Sequence, residues 1–505
     1  MSPLVYQQLE EVLQRDFELL DYPRREWPIP HQTAAGNPIY DCVIVGGGQG
    51  GLAVAWGLLR DKVNNILVLD AAPEGAEGPW RTFGRMVTLR TPKYLTGPEG
   101  GIPNLTIRAW YEAQHGPGAW EKLELIPREM WADYLAFFRR VCGIPVRNLT
   151  RAGAIEWRQN DDCFAIPTFA VTPDDHRDGH PEEGIPSEAD RPVQDWVYAR
   201  TIVLATGIEG SGAWQTPQMI LESLPEHLYA HTHTEIDFPH FAGKRIAVLG
   251  AGACAFDNSA VMLEHGAASV DLFFRRKEMV RTNPYRWAEF AGFLKHHADL
   301  PDADKWKFIS QLLKMGQLPP RNTYLRAVKH ENFTIHPDSP FLKVERIETG
   351  NAAGENDPNA IGEAGEGVRI TTPHGTFDFD FLITGTGFKT DLGLRPELPN
   401  LVSDIALWGD RFTPPENERA EDLLRHPYLG QYFEFVPKTG ASGVPLDRVF
   451  NYTFGCLLSL GFGGASISGM KYSVPRVVAG VTRALYLGDK DVYFEALREF
   501  EAPEF

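Results

Sequence analysis

The chain has 505 residues, a length for about three domains of roughly 150 residues each or for a large two-domain enzyme, and 43% of them are hydrophobic. With 11% aromatic residues, that content excludes a disordered chain. Its 49 basic and 67 acidic residues give a net charge of −18, a field that repels nucleic acid and anionic membranes and removes both from the expected partners.

The opening MSPLVYQQLEEVLQRDFELL lacks a basic leader and mixes acidic with apolar residues, so it does not read as a secretory signal. Its spacing predicts an amphipathic surface helix over residues 6–20. Next comes YDCVIVGGGQGGLAVAWGLLR: a β-branched apolar strand, a glycine turn and a helix. Gly46, Gly48 and Gly51 follow G-x-G-x-x-G, with Gln49 inside the turn. The first glycine makes the tight turn, the second admits a pyrophosphate to the backbone, and the third lets the helix pack on the strand. The helix start then offers its N–H groups to the phosphates. A second strand, NNILVLD, ends on Asp70, placed as a carboxylate that accepts from a ribose hydroxyl. ARTIVLATGIEG closes the unit with a Thr-Gly turn at Thr206 and Gly207.

HTHTEIDF, from His231, has no carboxylate or cysteine at ligand spacing, so it reads as a linker rather than a metal site. GKRIAVLGAGACAFDNSAVMLEHGAASVDLFFRR then repeats the first plan. Gly250, Gly252 and Ala255 occupy the three turn positions, with Ala253 beside them, and the strand SVDLFF follows the helix. Where the first unit carries a carboxylate, this one carries Arg275 and Arg276. Guanidinium groups bind a 2′-phosphate through charge-assisted forks, so this site is built for NADPH, while the Asp70 site suits a dinucleotide with a free ribose hydroxyl. FDFLITGTGF closes the second unit at Thr384, Gly385 and Gly387. One G-x-G-x-x-G is weak evidence; two, each between strand and helix, are strong. The expected fold class is α/β, with two Rossmann-like dinucleotide-binding domains.

Each unit contains a polar interruption, TPDDHRDGHPEEGIPSEADRP in the first and TGNAAGENDPNAIGEAGEG in the second, read as solvated loops between hairpin strands. RWAEFAGFLKHHADL and DADKWKFISQLLKMG predict two amphipathic helices, a helical insertion over about residues 281–335 of the second unit. His296 and His297 are adjacent and so face different sides of a helix, which argues against a metal pair. NPYRW and NYTFG are aromatic segments whose expected role is core packing, with the pocket wall as the other reading. The apolar FGCLLSLGFGGASISGMKY is glycine-rich and broken by Lys471, a poor membrane span. A last helix is expected with Ser473 as N-cap and Pro475 in its first turn. The five cysteines form no C-x-x-C pair, which fits a reducing, cytoplasmic setting and argues against a disulfide reductase.

The motifs VIVGGGQGGLA, ATG, VLGAGACAFD and TGTGF resemble those of the two-dinucleotide-binding flavoproteins and, within them, the class B flavin-dependent monooxygenases, over about residues 41–483. The resemblance implies FAD in the first unit and NADPH in the second. It divides the chain into an N-terminal helical arm (1–40), the first part of the FAD domain (41–215), an NADPH domain (216–390), and a C-terminal segment (391–505) that completes the FAD domain and active site. GPWRTFGRMVTLRTPKYLTGP looks like the family's Gly-x-Trp segment, which makes Trp80 and Arg81 FAD neighbours. Arg90 stands where many flavin-containing monooxygenases have an asparagine over the flavin ring. There it would stabilise an anionic intermediate or orient a polar substrate; the alternative is a simple ion pair. The Baeyer–Villiger fingerprint is not matched in spacing by LPEHLYAHTHTEIDF, which weakens the ketone reading; heteroatom hydroxylation and a Baeyer–Villiger type of oxidation both stay open. The implied activity is reduction of FAD by NADPH, formation of a C4a-(hydro)peroxyflavin with O2, and insertion of one oxygen atom into a small organic substrate. An NADPH oxidase that releases only peroxide, and a redox-silent dinucleotide-binding regulator, stay open beside it.

Overall fold

A computed structural model describes residues 3–20, 25–95, 97–172, 192–348 and 365–503. The bulk of both polar interruptions lies outside the described residues, but the strands flanking each of them pair antiparallel, Phe164 opposite Ala199 and Val344 opposite Ile370.

The first glycine turn sits in the parallel part of a mixed sheet, which runs, in spatial order, Val146–Arg147, Ile66–Leu69, Pro38–Val45, Asp195–Leu204 and Val449–Asn451. Its central strands are apolar on both sides because helices cover both faces of such a sheet. Val43 lies opposite both Leu67 and Ile202, and all three are buried. The last strand comes from the far end of the chain: Phe450 is in register with Val203, so residues 247 positions distant close this sheet. Helix Met470–Gly488 packs on helix Gln49–Arg60, where Gly57 leaves room for Val478. A Cβ on Gly57 would meet the Val478 Cγ2 at 2.6 Å.

A second sheet holds Tyr229–His231, Phe381–Thr384, Arg245–Leu249, Ser269–Phe273 and Phe333–His336, all parallel. Two short strands link the units. Gly212–Trp214 and Phe388–Thr390, which follow the two Thr-Gly turns, pair antiparallel with Phe388 opposite Trp214.

Three elements differ from the sequence expectation. The insertion forms four helices rather than two: Pro284–Ala288, Ala291–His296, Asp302–Met315 and Arg321–Val328. Asn283 caps the first by accepting from the Tyr285 N–H at 3.1 Å, and Arg321–Val328 packs on helix Ala253–Glu264. The C-terminal helix begins at Met470, not after Ser473, and runs through Pro475. Ser473 does not cap it, because its Oγ lies 2.6 Å from Tyr452 Oη inside the core. A close approach between Gly469 and the Phe462 carbonyl fixes the real start; a Cβ there would sit 1.9 Å from that oxygen. The N-terminal helix spans Pro3–Leu19, starting three residues earlier than expected, and its apolar stripe packs as an amphipathic surface helix should: Leu13 is 1% exposed, and the Phe17 ring lies 5.0 Å from Trp56.

Candidate functional site

The two glycine turns are built alike. Gly46 has φ +107°, and a Cβ on it would lie 2.5 Å from the Ala205 carbonyl oxygen. Gly51 has even less room, 1.8 Å from the Gly46 oxygen, which is how helix and strand meet so closely. Gly48 is different: a Cβ there meets nothing within 4 Å. In the second unit Gly250 has φ +123° and would strike the Gly385 oxygen at 2.4 Å, while Gly252 again faces open space. Ala255 fits the third position because Gly385 yields on the opposite side; a Cβ on Gly385 would touch Ala255 Cβ at 2.8 Å. Gly48 and Gly252 are N-caps without a side-chain hydrogen bond, so neither helix start receives a cap from its own residue.

A cavity of about 1710 Å³ opens in front of the first turn. It exceeds the roughly 300–1,000 Å³ of a pocket for one drug-sized ligand. Gly46, Gly48, Gln49, Asp70, Trp80, Arg81, Arg90, Thr206 and Gly207 all border it. Asp70 is held in place by the Gly47 N–H at 2.6 Å and the Ala72 N–H at 2.7 Å. Gln49 accepts from the Trp131 indole N–H at 3.2 Å, and Trp131 meets Trp80 edge to face at 6.4 Å. Arg81 pairs with Asp133 on helix Arg128–Val141.

From the second unit the helix face, not the glycine turn, borders this space: Cys254, Asp257 and Asn258. Gly250, Gly252, Ala253, Thr384, Gly385 and Gly387 lie outside it. Arg90 bridges the units, donating to Asp257 Oδ2 at 2.8 Å with Cys254 Sγ at 3.8 Å. Burial works against its charge, but Cys254 and Asp257 outweigh it and push the guanidinium pKa up. Asp257 is 1% exposed and also accepts from Thr323 Oγ1 at 3.0 Å. Arg90 thus forms the ion pair that was the alternative to a flavin contact, while still facing the cavity.

Arg275 and Arg276 part company. Both are exposed, but Arg276 donates to the Met315 and Lys314 carbonyls at 3.2 and 3.4 Å, at the C-terminus of helix Asp302–Met315. Arg275 makes no hydrogen bond or ion pair among the described residues.

Among the described residues no group of three or more His, Cys, Asp or Glu is placed to hold a metal ion. His296 is exposed beside Asp299, whereas His297 is buried, depressed to about 4 by burial, with Nε2 donating to the Leu458 carbonyl at 3.3 Å. His233 stacks on Trp214 at 4.9 Å in the cavity wall.

The two aromatic segments supply part of the wall, the second of the two readings given for them. Tyr285 of NPYRW stacks on Phe462 at 5.6 Å, and Phe454 of NYTFG borders the cavity, while Trp287 is exposed elsewhere. Cys254, Asp257 and Asn258 did carry a signal: they stand at i, i+3 and i+4 and so share one face of the helix after the second glycine turn. Asn258 Oδ1 and Trp80 Nε1 are buried without a partner, an acceptor and a donor awaiting a ligand. With the open approach at Gly48, they fit a bound dinucleotide.

Comparison with known proteins agrees. An FAD-NAD(P)-binding family model matches residues 43–153. The FAD-dependent urate hydroxylase of Xanthomonas campestris pv. campestris is 41% identical over 498 residues, 99% of this chain and 97% of that one. Among solved structures, the ornithine hydroxylase of Pseudomonas aeruginosa aligns with a TM-score of 0.61 at 12% identity, covering 88% of this chain and 100% of that chain. The FAD-bound cadaverine monooxygenase of Erwinia amylovora aligns with a TM-score of 0.59 at 13% identity, over 88% and 95%. The chain belongs to the class B flavin-dependent monooxygenases of the two-dinucleotide-binding flavoproteins. It is an FAD-dependent oxidoreductase of the monooxygenase type, with an FAD-NAD(P)-binding segment over residues 43–153.

Proposed function

We propose that the substrate is urate or a closely related oxopurine. One observation carries the reading: the first glycine turn, the helix after the second one and the C-terminal segment all border a single cavity of about 1710 Å³, room for a flavin with a flat substrate beside it. The full-length identity to a urate hydroxylase supports the substrate class. The wall supports it as well, since aromatic faces at Trp214, Tyr285, Phe454 and Phe462 suit a flat heterocycle.

The residue assignments form part of this reading. Gly46, Gly48, Gln49, Gly51, Asp70, Trp80, Arg81, Thr206 and Gly207 hold FAD. The turn at Gly250, Gly252, Ala253 and Ala255, with Thr384, Gly385 and Gly387, holds NADPH. The domain division is that expected from the motifs, with the Val449–Asn451 strand in the first sheet supporting the placement of residues 391–505. FAD, when bound, supplies hydride acceptance and O2 activation. The chain contributes the rest. N–H groups at the start of helix Gln49–Arg60 bind the pyrophosphate, Asp70 accepts from a ribose hydroxyl, and Arg275 meets the 2′-phosphate. Arg90 holds a fixed positive charge where the units meet, tied to Asp257. Phe454 and Phe462 exclude water, which would otherwise divert activated oxygen to peroxide. A cytoplasmic location belongs to the same reading, on five free cysteines. Among the described residues no helix is long and apolar enough to cross a membrane.

The test is turnover under labelled O2, with mass spectrometry of the urate product beside a peroxide assay. Label in the product is expected. NADPH consumption that yields only peroxide with urate and related purines would refute the reading.

A further inference from the structure

Glu289 closes the short Pro284–Ala288 helix of the insertion and borders the cavity. Its side chain is 9% exposed. Ser468 Oγ donates to its Oε1 at 2.9 Å, which fixes the carboxyl from the C-terminal segment. Its Oε2 is buried and receives no hydrogen bond; the exposed Arg286 guanidinium forms an ion pair with it, Nε at 3.6 Å, too long for a hydrogen bond. Burial pushes this carboxyl pKa up, against the opposing pull of Ser468 and Arg286, as expected of a carboxyl without its donor. Beside it, Tyr285 and Phe462 present stacked rings to the same space. The loop that carries Ser468 also presses the Gly464 carbonyl against Gly50 of the first glycine turn, where a Cβ would stand 3.1 Å from it. One loop therefore fixes Glu289 and touches the flavin unit.

A buried acceptor held on one oxygen and open on the other, flanked by aromatic faces, suits a flat ring that carries an N–H at its edge. We propose that Glu289 is the specificity-determining acceptor of the substrate pocket, taking a ring N–H of the oxopurine on Oε2. This rests on the oxopurine reading above and adds to it the residue that selects the ring. N-methylation of that ring nitrogen removes the donor and leaves Oε2 unsatisfied in a bound complex.

The experiment uses the oxidised, FAD-loaded enzyme without NADPH and titrates it with urate and its N-monomethyl derivatives, following flavin absorbance and heat. In the wild type, one methylurate is expected to bind about tenfold or more weaker than urate. Glu289→Leu should weaken urate by a similar factor and erase the discrimination between urate and that derivative, with FAD content unchanged. Glu289→Gln keeps an acceptor oxygen and should keep the discrimination. A Leu variant that binds urate and discriminates as the wild type does overturns the proposal. If the Leu variant does not fold, a wild type that treats all the methylurates alike, or a Gln variant that has lost the discrimination, overturns it. A wild type that binds no urate refutes the substrate reading itself, an outcome distinct from a silent Leu substitution.

Discussion

Neutralising the two arginines one at a time separates cofactor selection from fold stability. Arg275 is exposed with no partner among the described residues, whereas Arg276 spans 3.2 and 3.4 Å to the last carbonyls of helix Asp302–Met315. A charge-assisted hydrogen bond to phosphate contributes about 1.5–3 kcal/mol, and exposure keeps Arg275 at the lower end. Arg275→Ala should therefore raise KM for NADPH about tenfold, leave kcat near its starting value, and change KM for NADH little. Arg276→Ala removes a cation from a helix C-terminus, an effect of about 0.3–1 kcal/mol, and should lower Tm by a few degrees at most. Steady-state kinetics with both nucleotides and a thermal melt of each variant decide the matter. If Arg276→Ala abolishes the preference for NADPH while Arg275→Ala keeps it, then Arg276 and not Arg275 reads the 2′-phosphate.

Further outcomes follow from the same geometry. Gly48→Ala should fold, since its Cβ meets no protein atom, yet lose FAD, whereas Gly51→Ala should fail to fold because its Cβ falls 1.8 Å from the Gly46 oxygen; circular dichroism and flavin absorbance separate them. Arg90→Ala leaves Asp257 buried and uncompensated, a loss of about 3–5 kcal/mol, and the additional change Asp257→Asn should recover part of it in a denaturant titration. His426 is held to about 4 by burial, with its Nδ1 donating to the Asp422 carbonyl at 3.1 Å. Its folded pKa lies below the unfolded value of 6.5, so the unfolded chain binds the extra proton and stability falls as pH drops from 6.5 towards 4. His231 and His297, also near 4, act in the same direction, while Asp41, raised to about 6 by burial, opposes them. His426→Gln should lower the slope of stability against pH by about 1.4 kcal/mol per unit near pH 5, read from urea titrations across that range.

By itself the sequence determined what is local. Each glycine turn is written within a dozen residues, because a strand, a left-handed glycine and a helix start are fixed by sterics between near neighbours. Asp70 and Arg275 were legible for the same reason, as the ends of the strands that follow. Tertiary structure decided everything that depends on chain segments meeting. Arg276 looked identical to Arg275 until a helix end nearly forty residues on, at Met315, took its guanidinium. Ser473 looked like a helix cap until Tyr452 claimed its hydroxyl, and the Arg90–Asp257 pair joins residues 167 positions apart. The pocket wall formed by Tyr285, Glu289, Phe462 and Ser468 is of the same kind. Such contacts leave no periodic or spaced trace in the chain, because nothing in the residues between them records which distant surfaces they hold together.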